Sequence, residues 1–222
     1  LISIPLPSPA AGTSRALSFL RFGKEGTGRK AYIQASLHAD ELPGMLVAHH
    51  LRNQLTKLEQ QGQLLGEVIL VPTANPIGLA QTLLGTSQGR FDLRTGQNFN
   101  RLFHNLSEEV LERVRSQLSS DPHANQKLIR TAIRDYLKEQ TTIDELSAQR
   151  LALMRLAADA DVVLDLHCDC ESVLHLYTGT PLWDRVAPLA GLLDARVALL
   201  ETNSGDDPFD EACSRIWWDI AA

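Results

Sequence analysis

The chain has 222 residues, 44% apolar and 22% charged, with a net charge of −6. That length suits one large domain with a sizeable core better than two. An acidic balance without a basic block predicts neither nucleic acid nor an anionic membrane as partner, though local arginines still allow a small anionic ligand.

Three cysteines, at 168, 170 and 213, make no disulfide framework and predict a reducing, cytoplasmic setting. No apolar run approaches the ~18 residues of a membrane span. The N-terminus shows no basic-then-apolar leader. It also lacks a methionine, so the sequence is expected to be trimmed or incomplete at its start.

Residues 1–30 hold Pro5, Pro7, Pro9 and several glycines and are read as irregular. Residues 31–37 read as a buried strand that ends at His38, with Glu41 three residues later. Pro43 suits the first turn of a helix whose apolar spacing runs over 45–58. Residues 67–71 are the next strand, ending at Pro72-Thr73-Ala74-Asn75-Pro76, and 77–98 read as loop. The stretch 105–160 predicts three helices. Ser107 is the expected cap of the first, Asp121-Pro122 opens the second, and Thr142 to Glu145 forms a capping box for the third. Strands follow at 162–166, 173–177 and 196–200, with a helix over 182–193 and a last one over 214–222. Strands alternating with helices predict an α/β fold with a mostly parallel or mixed sheet flanked by helices. In such sheets ligands bind beyond the carboxyl ends of the strands, where His38, Asn75 and His167 all fall.

Two strands that each deliver a histidine at that end predict one metal site. His-x-x-Glu alone is weak, since seven histidines in a chain of this length give about 0.4 such pairs by chance. His167 at an equivalent strand end strengthens it. Two neutral imidazoles and one carboxylate, His38, Glu41 and His167, form a catalytic zinc set with a position left for water, although such a set also suits other divalent ions. Asp165 lies on the same strand face as His167 and is placed to orient it. His167-Cys168-Asp169-Cys170 offers a rival thiolate site, but only Cys213 remains as a third thiol.

With these residues placed, the chain resembles the succinylglutamate desuccinylase/aspartoacylase family, zinc hydrolases related to the zinc carboxypeptidases. The motifs that carry the resemblance are the strand before His38-Ala39-Asp40-Glu41, then Asn75-Pro76, Asn98-Phe99-Asn100-Arg101-Leu102-Phe103, and Asp165-Leu166-His167. The resemblance implies His38, Glu41 and His167 as ligands of one zinc ion per chain. It implies Asn100 and Arg101 as a clamp for a substrate carboxylate, and an upstream arginine that polarises the scissile carbonyl. Arg94 is chosen for that last role, with Arg90 as the alternative. The helical stretch 105–160 is then an elaboration outside the shared core.

The sequence departs from the family pattern at Asn98, where many members carry aspartate. A neutral amide there is expected to polarise a ligand histidine less. The resemblance also implies a catalytic glutamate on a later strand and a small C-terminal β-rich domain. Glu201 comes too early to match, and nothing in the sequence supplies the domain. The expectation is therefore a single zinc-hydrolase-like catalytic domain over 1–222, incomplete at its C-terminus and without an identified general base. Its expected reaction is cleavage of an amide in an N-acyl amino acid or similar small carboxylate. The rivals are a zinc carboxypeptidase acting on peptides, a metal- or carboxylate-binding module without turnover, and an ordinary α/β domain with structural histidines. A homo-oligomer is left open.

Overall fold

The computed structural model describes residues 1–221. A mixed five-stranded sheet runs in the order β1-β2-β4-β3-β7. Its strands are β1 (Ile2–Pro5), β2 (Ala16–Phe22), β3 (Lys30–Ala35), β4 (Glu67–Val71) and β7 (Val162–Leu166). The first two strands, in the stretch expected to be irregular, pair antiparallel with each other, and β2 continues antiparallel onto β4. The apolar alternation of β2, with Leu17 and Phe19 facing one side and Leu20 and Phe22 the other, is what a strand buried on both faces requires.

Strand β3 lies at the centre of the parallel part, with β4 on one edge and β7 on the other. Its side chains alternate between two cores. Tyr32 joins Ile69 and Val71 on one face. Ile33 and Ala35 join Val68 and Leu70 on the other. Helix α1 (Pro43–Gln60) covers the second face through Ala48, Leu51 and Leu55. The first face is covered by α3 (Ser107–Val114), α4 (Pro122–Glu139), α5 (Glu145–Ala157) and α7 (Phe209–Asp219). These layers give the expected α/β class, with three helices in the predicted 105–160 stretch.

Local boundaries differ from expectation for reasons of capping. Helix α3 begins at Ser107 itself, and Asn105 Oδ1 accepts the Ser107 N–H. Helix α5 is capped by Asp144, not Thr142, because Asp144 Oδ1 accepts from both Leu146 N–H and Ser147 N–H. The last helix starts five residues earlier than predicted, after Pro208, and the predicted end at Ala222 lies outside the described residues. The 77–98 loop contains a single helical turn, α2 (Pro76–Leu79), and a small hairpin of β5 (Thr82–Leu83) and β6 (Thr86–Ser87). Strands β8 (His175–Gly179) and β9 (Val197–Glu201) form a separate parallel pair, joined through α6 (Trp183–Leu192). Among the described residues no helix is long and apolar enough to cross a membrane.

Candidate metal centre

Parallel pairing of β3 with β4 and β7 brings three carboxyl ends to one side of the sheet. Ala35 pairs with Leu166, so the chain leaves β3 and β7 at the same level. Ser36 then takes a left-handed backbone (φ 64°) and turns the strand toward His38. Asn75, one turn past β4, donates from Nδ2 to Leu37 O at 2.9 Å and accepts Gly78 N–H through Oδ1. The next segment is fixed from the far side, where Ala39 N–H donates to Gly89 O at 2.9 Å. Any Cβ at Gly89 would fall 2.0 Å from Asp40 N, so this close approach requires glycine.

His38, Glu41 and His167 converge, with one donor atom from each lying within 4.8 Å of the others. Glu41 is buried and bridges both imidazoles: Oε1 is 2.9 Å from His38 Nδ1, and Oε2 is 2.9 Å from His167 Nδ1. Oε2 also accepts Cys168 N–H at 2.8 Å, and Oε1 accepts from Arg90 Nη2 at 2.7 Å. The two rings meet edge-on with centroids 5.0 Å apart. His38 is buried, whereas 31% of the His167 side chain is open to solvent.

The outer ring nitrogens are held as well. His38 Nε2 lies 2.8 Å from Asn98 Oδ1, and His167 Nε2 lies 3.0 Å from Asp165 Oδ2. Asn98 Oδ1 is an acceptor, so His38 Nε2 carries a hydrogen, whereas His167 Nε2 lies between the Asp165 carboxylate and the Asn100 amide; both Nδ1 atoms face Glu41. Asn98 therefore holds the His38 ring despite being neutral.

Two ring nitrogens facing one carboxylate at 2.9 Å need a proton or a cation between them and it, and the surroundings reinforce that demand. Burial resists ionisation of Glu41, but hydrogen bonds from His167, His38 and Cys168 N–H hold its carboxyl well below the usual range. Burial pulls His167 down, yet Asp165 and Glu41 together raise it to about 10. Burial, then the charge of Asp165, pushes Asp210 on α7 upward. The donor set therefore fits a divalent cation, whose charge would relieve these crowded acceptors as protons otherwise do.

The remaining expected residues separate into two groups. Asn100 is buried at the centre: its Oδ1 accepts Phe209 N–H at 2.9 Å, and its Nδ2 lies 3.4 Å from His167 Nε2. Arg101 folds back, donating from Nη1 to Asn100 O at 2.7 Å. Arg94 points away from the triad toward Asp144, 3.5 Å from Oδ1, with 52% of its side chain exposed. Arg90 is the arginine that touches Glu41. Glu201 ends β9 and accepts its neighbour's Thr202 N–H. The metal-ligand group contains no cysteine; Cys170 is exposed and Cys213 is buried beside Met154.

Sequence reasoning did not anticipate Phe209 N–H as the anchor of Asn100. It also missed Arg150, whose side chain bonds the 97–98 segment. Neither carries a local signal, because each partner lies dozens of residues away.

The sequence matches the succinylglutamate desuccinylase/aspartoacylase catalytic domain over residues 27–199. The fold is similar to a protein described as a succinylglutamate desuccinylase/aspartoacylase from Shewanella frigidimarina, at 25% identity and a TM-score of 0.80, covering 99% of this chain and 58% of that one. A family protein from Shewanella amazonensis is 34% identical with a TM-score of 0.75, covering 99% and 59%. A product-bound ectoine utilization protein from Ruegeria pomeroyi shares the fold at 18% identity and a TM-score of 0.52, covering 95% and 54%. The chain thus spans somewhat under three-fifths of the length of these structures. No curated protein matches it.

Proposed function

The chain belongs to the succinylglutamate desuccinylase/aspartoacylase family, and from that premise we propose that it forms the zinc site of a hydrolase cleaving the amide of an N-acyl amino acid or similar small carboxylate. The observation that carries this reading is the convergence of His38, Glu41 and His167. Both rings present Nδ1 to the Glu41 carboxylate at 2.9 Å, and one ligand atom of each residue lies within 4.8 Å of the others. When bound, zinc supplies Lewis-acid polarisation and lowers the pKa of water toward ~7.

The chain's own residues prepare the rest. Asn98 holds the His38 ring and the Asp165 carboxylate stands 3.0 Å from His167 Nε2, so that little reorganisation accompanies binding. Asn100 is locked by Phe209 N–H, which leaves its Nδ2 as the free donor beside His167. Arg101, next to it, is the fork for a substrate carboxylate. Arg90, already at Glu41, is better placed than Arg94 to meet negative charge developing on the scissile oxygen. Glu201 is exposed and bonded locally, so it is not assigned as the proton acceptor.

Metal content per purified chain tests this, with His38→Ala and His167→Ala alongside. About one zinc per chain, lost in both variants, is expected from a three-ligand site. No metal in wild type after exposure to zinc without chelator would overturn it. Hydrolysis of N-acyl amino acids but not of a peptide panel separates the deacylase from the carboxypeptidase reading.

A further inference from the structure

Arg150 sits on α5, in the helical stretch that the family resemblance places outside the shared core. Its guanidinium donates from Nη1 to Gln97 Oε1 at 2.9 Å and from Nη2 to Asn98 O at 3.1 Å. Its Cζ stands 5.9 Å from the Phe103 ring centroid. The side chain is part-buried, both groups it bonds are neutral, and the carboxylates of Asp144 and Asp92 act on it only through space. A withdrawn guanidinium without a bonded carboxylate is costly to keep, so its bonds to the 97–98 segment call for a reason.

The reason lies one residue further along. Asn98 Oδ1 accepts from His38 Nε2 and also from Asn100 N–H, both at 2.8 Å. A backbone N–H only donates, so the second bond fixes which end of the Asn98 amide is oxygen, without reference to the histidine. The same oxygen then requires a hydrogen on Nε2 of His38 and leaves Nδ1 turned toward Glu41 Oε1. Arg150 clamps the Asn98 main chain from which that side chain projects. Its neighbour Gln149 donates to Asn75 Oδ1 at 3.2 Å, and Asn75 holds Leu37 O just before His38. Two adjacent residues of α5 therefore brace His38 from both flanks.

We propose that Arg150 is a positioning residue for His38: it acts through Asn98 to fix that ring's orientation and tautomer for metal binding. The inference deepens the zinc reading above and rests on it for its consequence, though its effect on His38 exists in the metal-free chain too.

The experiment uses the full chain as wild type, Arg150→Met, Arg150→Lys, Asn98→Ala, and the Arg150→Met/Asn98→Ala double. Zinc affinity is read by chelator competition, and the His38 tautomer by ¹⁵N NMR without metal. Loss of a group that orients a metal ligand typically weakens binding about 10–100-fold, and that is expected for Arg150→Met together with a fall in the Nε2–H share of His38. Lysine keeps the charge and stem but not the fork, so partial recovery is expected. If Arg150→Met fails to fold, Arg150→Lys carries the test with a smaller loss. Because the route passes through Asn98, the double variant should bind about as weakly as Asn98→Ala alone. Zinc affinity within about two-fold of wild type with an unchanged tautomer, or losses that multiply in the double, would overturn the proposal. Absence of zinc binding in wild type strikes the metal reading instead, and the tautomer comparison still decides the role of Arg150.

Discussion

The five-stranded sheet and the β8–β9 pair are built from similar apolar sequence, yet they differ in what covers them. In the first, β3 and β4 bury alternate residues against helices on both faces. In the second, Val173, Leu174, Tyr177, Leu192, Val197 and Leu199 are all exposed. Within β8, α6 and β9, Ala190 is the buried apolar residue among the described side chains. A strand-forming pattern therefore fixes local backbone, while burial is decided by what packs on it. Every residue of the candidate centre comes from the covered region or the loops leaving it. That follows physically: ligand atoms must be held to a fraction of an ångström, which packed elements do best, and β7, the half-buried edge strand that leads to His167, is held by its pairing with β3.

The strongest way to break this comparison is through Phe209. Its ring is fully buried, 5.8 Å from Tyr32 and 5.2 Å from Phe103 between centroids, and its N–H holds Asn100. Phe209→Ala is expected to cost about 3–5 kcal/mol, the range for deleting a buried aromatic ring, measured by urea unfolding. A cost below ~1 kcal/mol would mean that α7 is not an integral wall of the covered region.

How much was readable beforehand follows the range of the interactions. His38, Glu41 and His167 were legible because strand periodicity puts each beside a carboxyl end, and parallel sheets gather those ends. Strand β2 was not. Its pattern is sound, but flanking prolines and glycines argue for loop, and its pairing with β4 is information only the tertiary structure holds. Asp121 caps α4 with Pro122 in its first turn, as expected, but the other two caps failed for a related reason: Thr142, Asp144 and Ser107 are all chemically able to cap, and backbone geometry chooses among them. Arg94 and Arg90, four residues apart, could not be separated by spacing, yet they face Asp144 and Glu41 respectively. Arg150 has no signal within a local window, because the backbone oxygen it holds is 52 residues away.

A smaller effect sharpens the link between α5 and the centre. Asp144 caps α5 and is held below the usual aspartate range. Burial opposes this, and the Ser147 hydroxyl and N–H and the Leu146 N–H outweigh it. Asp144→Ala is expected to cost about 1 kcal/mol at neutral pH. A carboxyl with a lowered folded pKa stabilises above its unfolded value and loses that contribution as pH falls through the folded one. The gap between wild type and variant in thermal melts should therefore be full above about pH 4 and close in stronger acid. A gap that persists unchanged there would assign the loss to packing rather than to the charged cap.

The smallest effect is expected where the covered region gives way to the open one. Leu192 ends α6 with 86% of its surface exposed. Exchanging such a residue removes almost no buried area, so Leu192→Ser should move stability by no more than about 0.5 kcal/mol in urea unfolding. The same substitution type in the covered region would leave a cavity and an unsatisfied hydroxyl. A loss above ~1 kcal/mol for Leu192→Ser would show that this face is covered in solution. Dependence of that loss on protein concentration would then identify the cover as a second copy of the chain, and the contrast between the two regions would belong to the isolated chain alone.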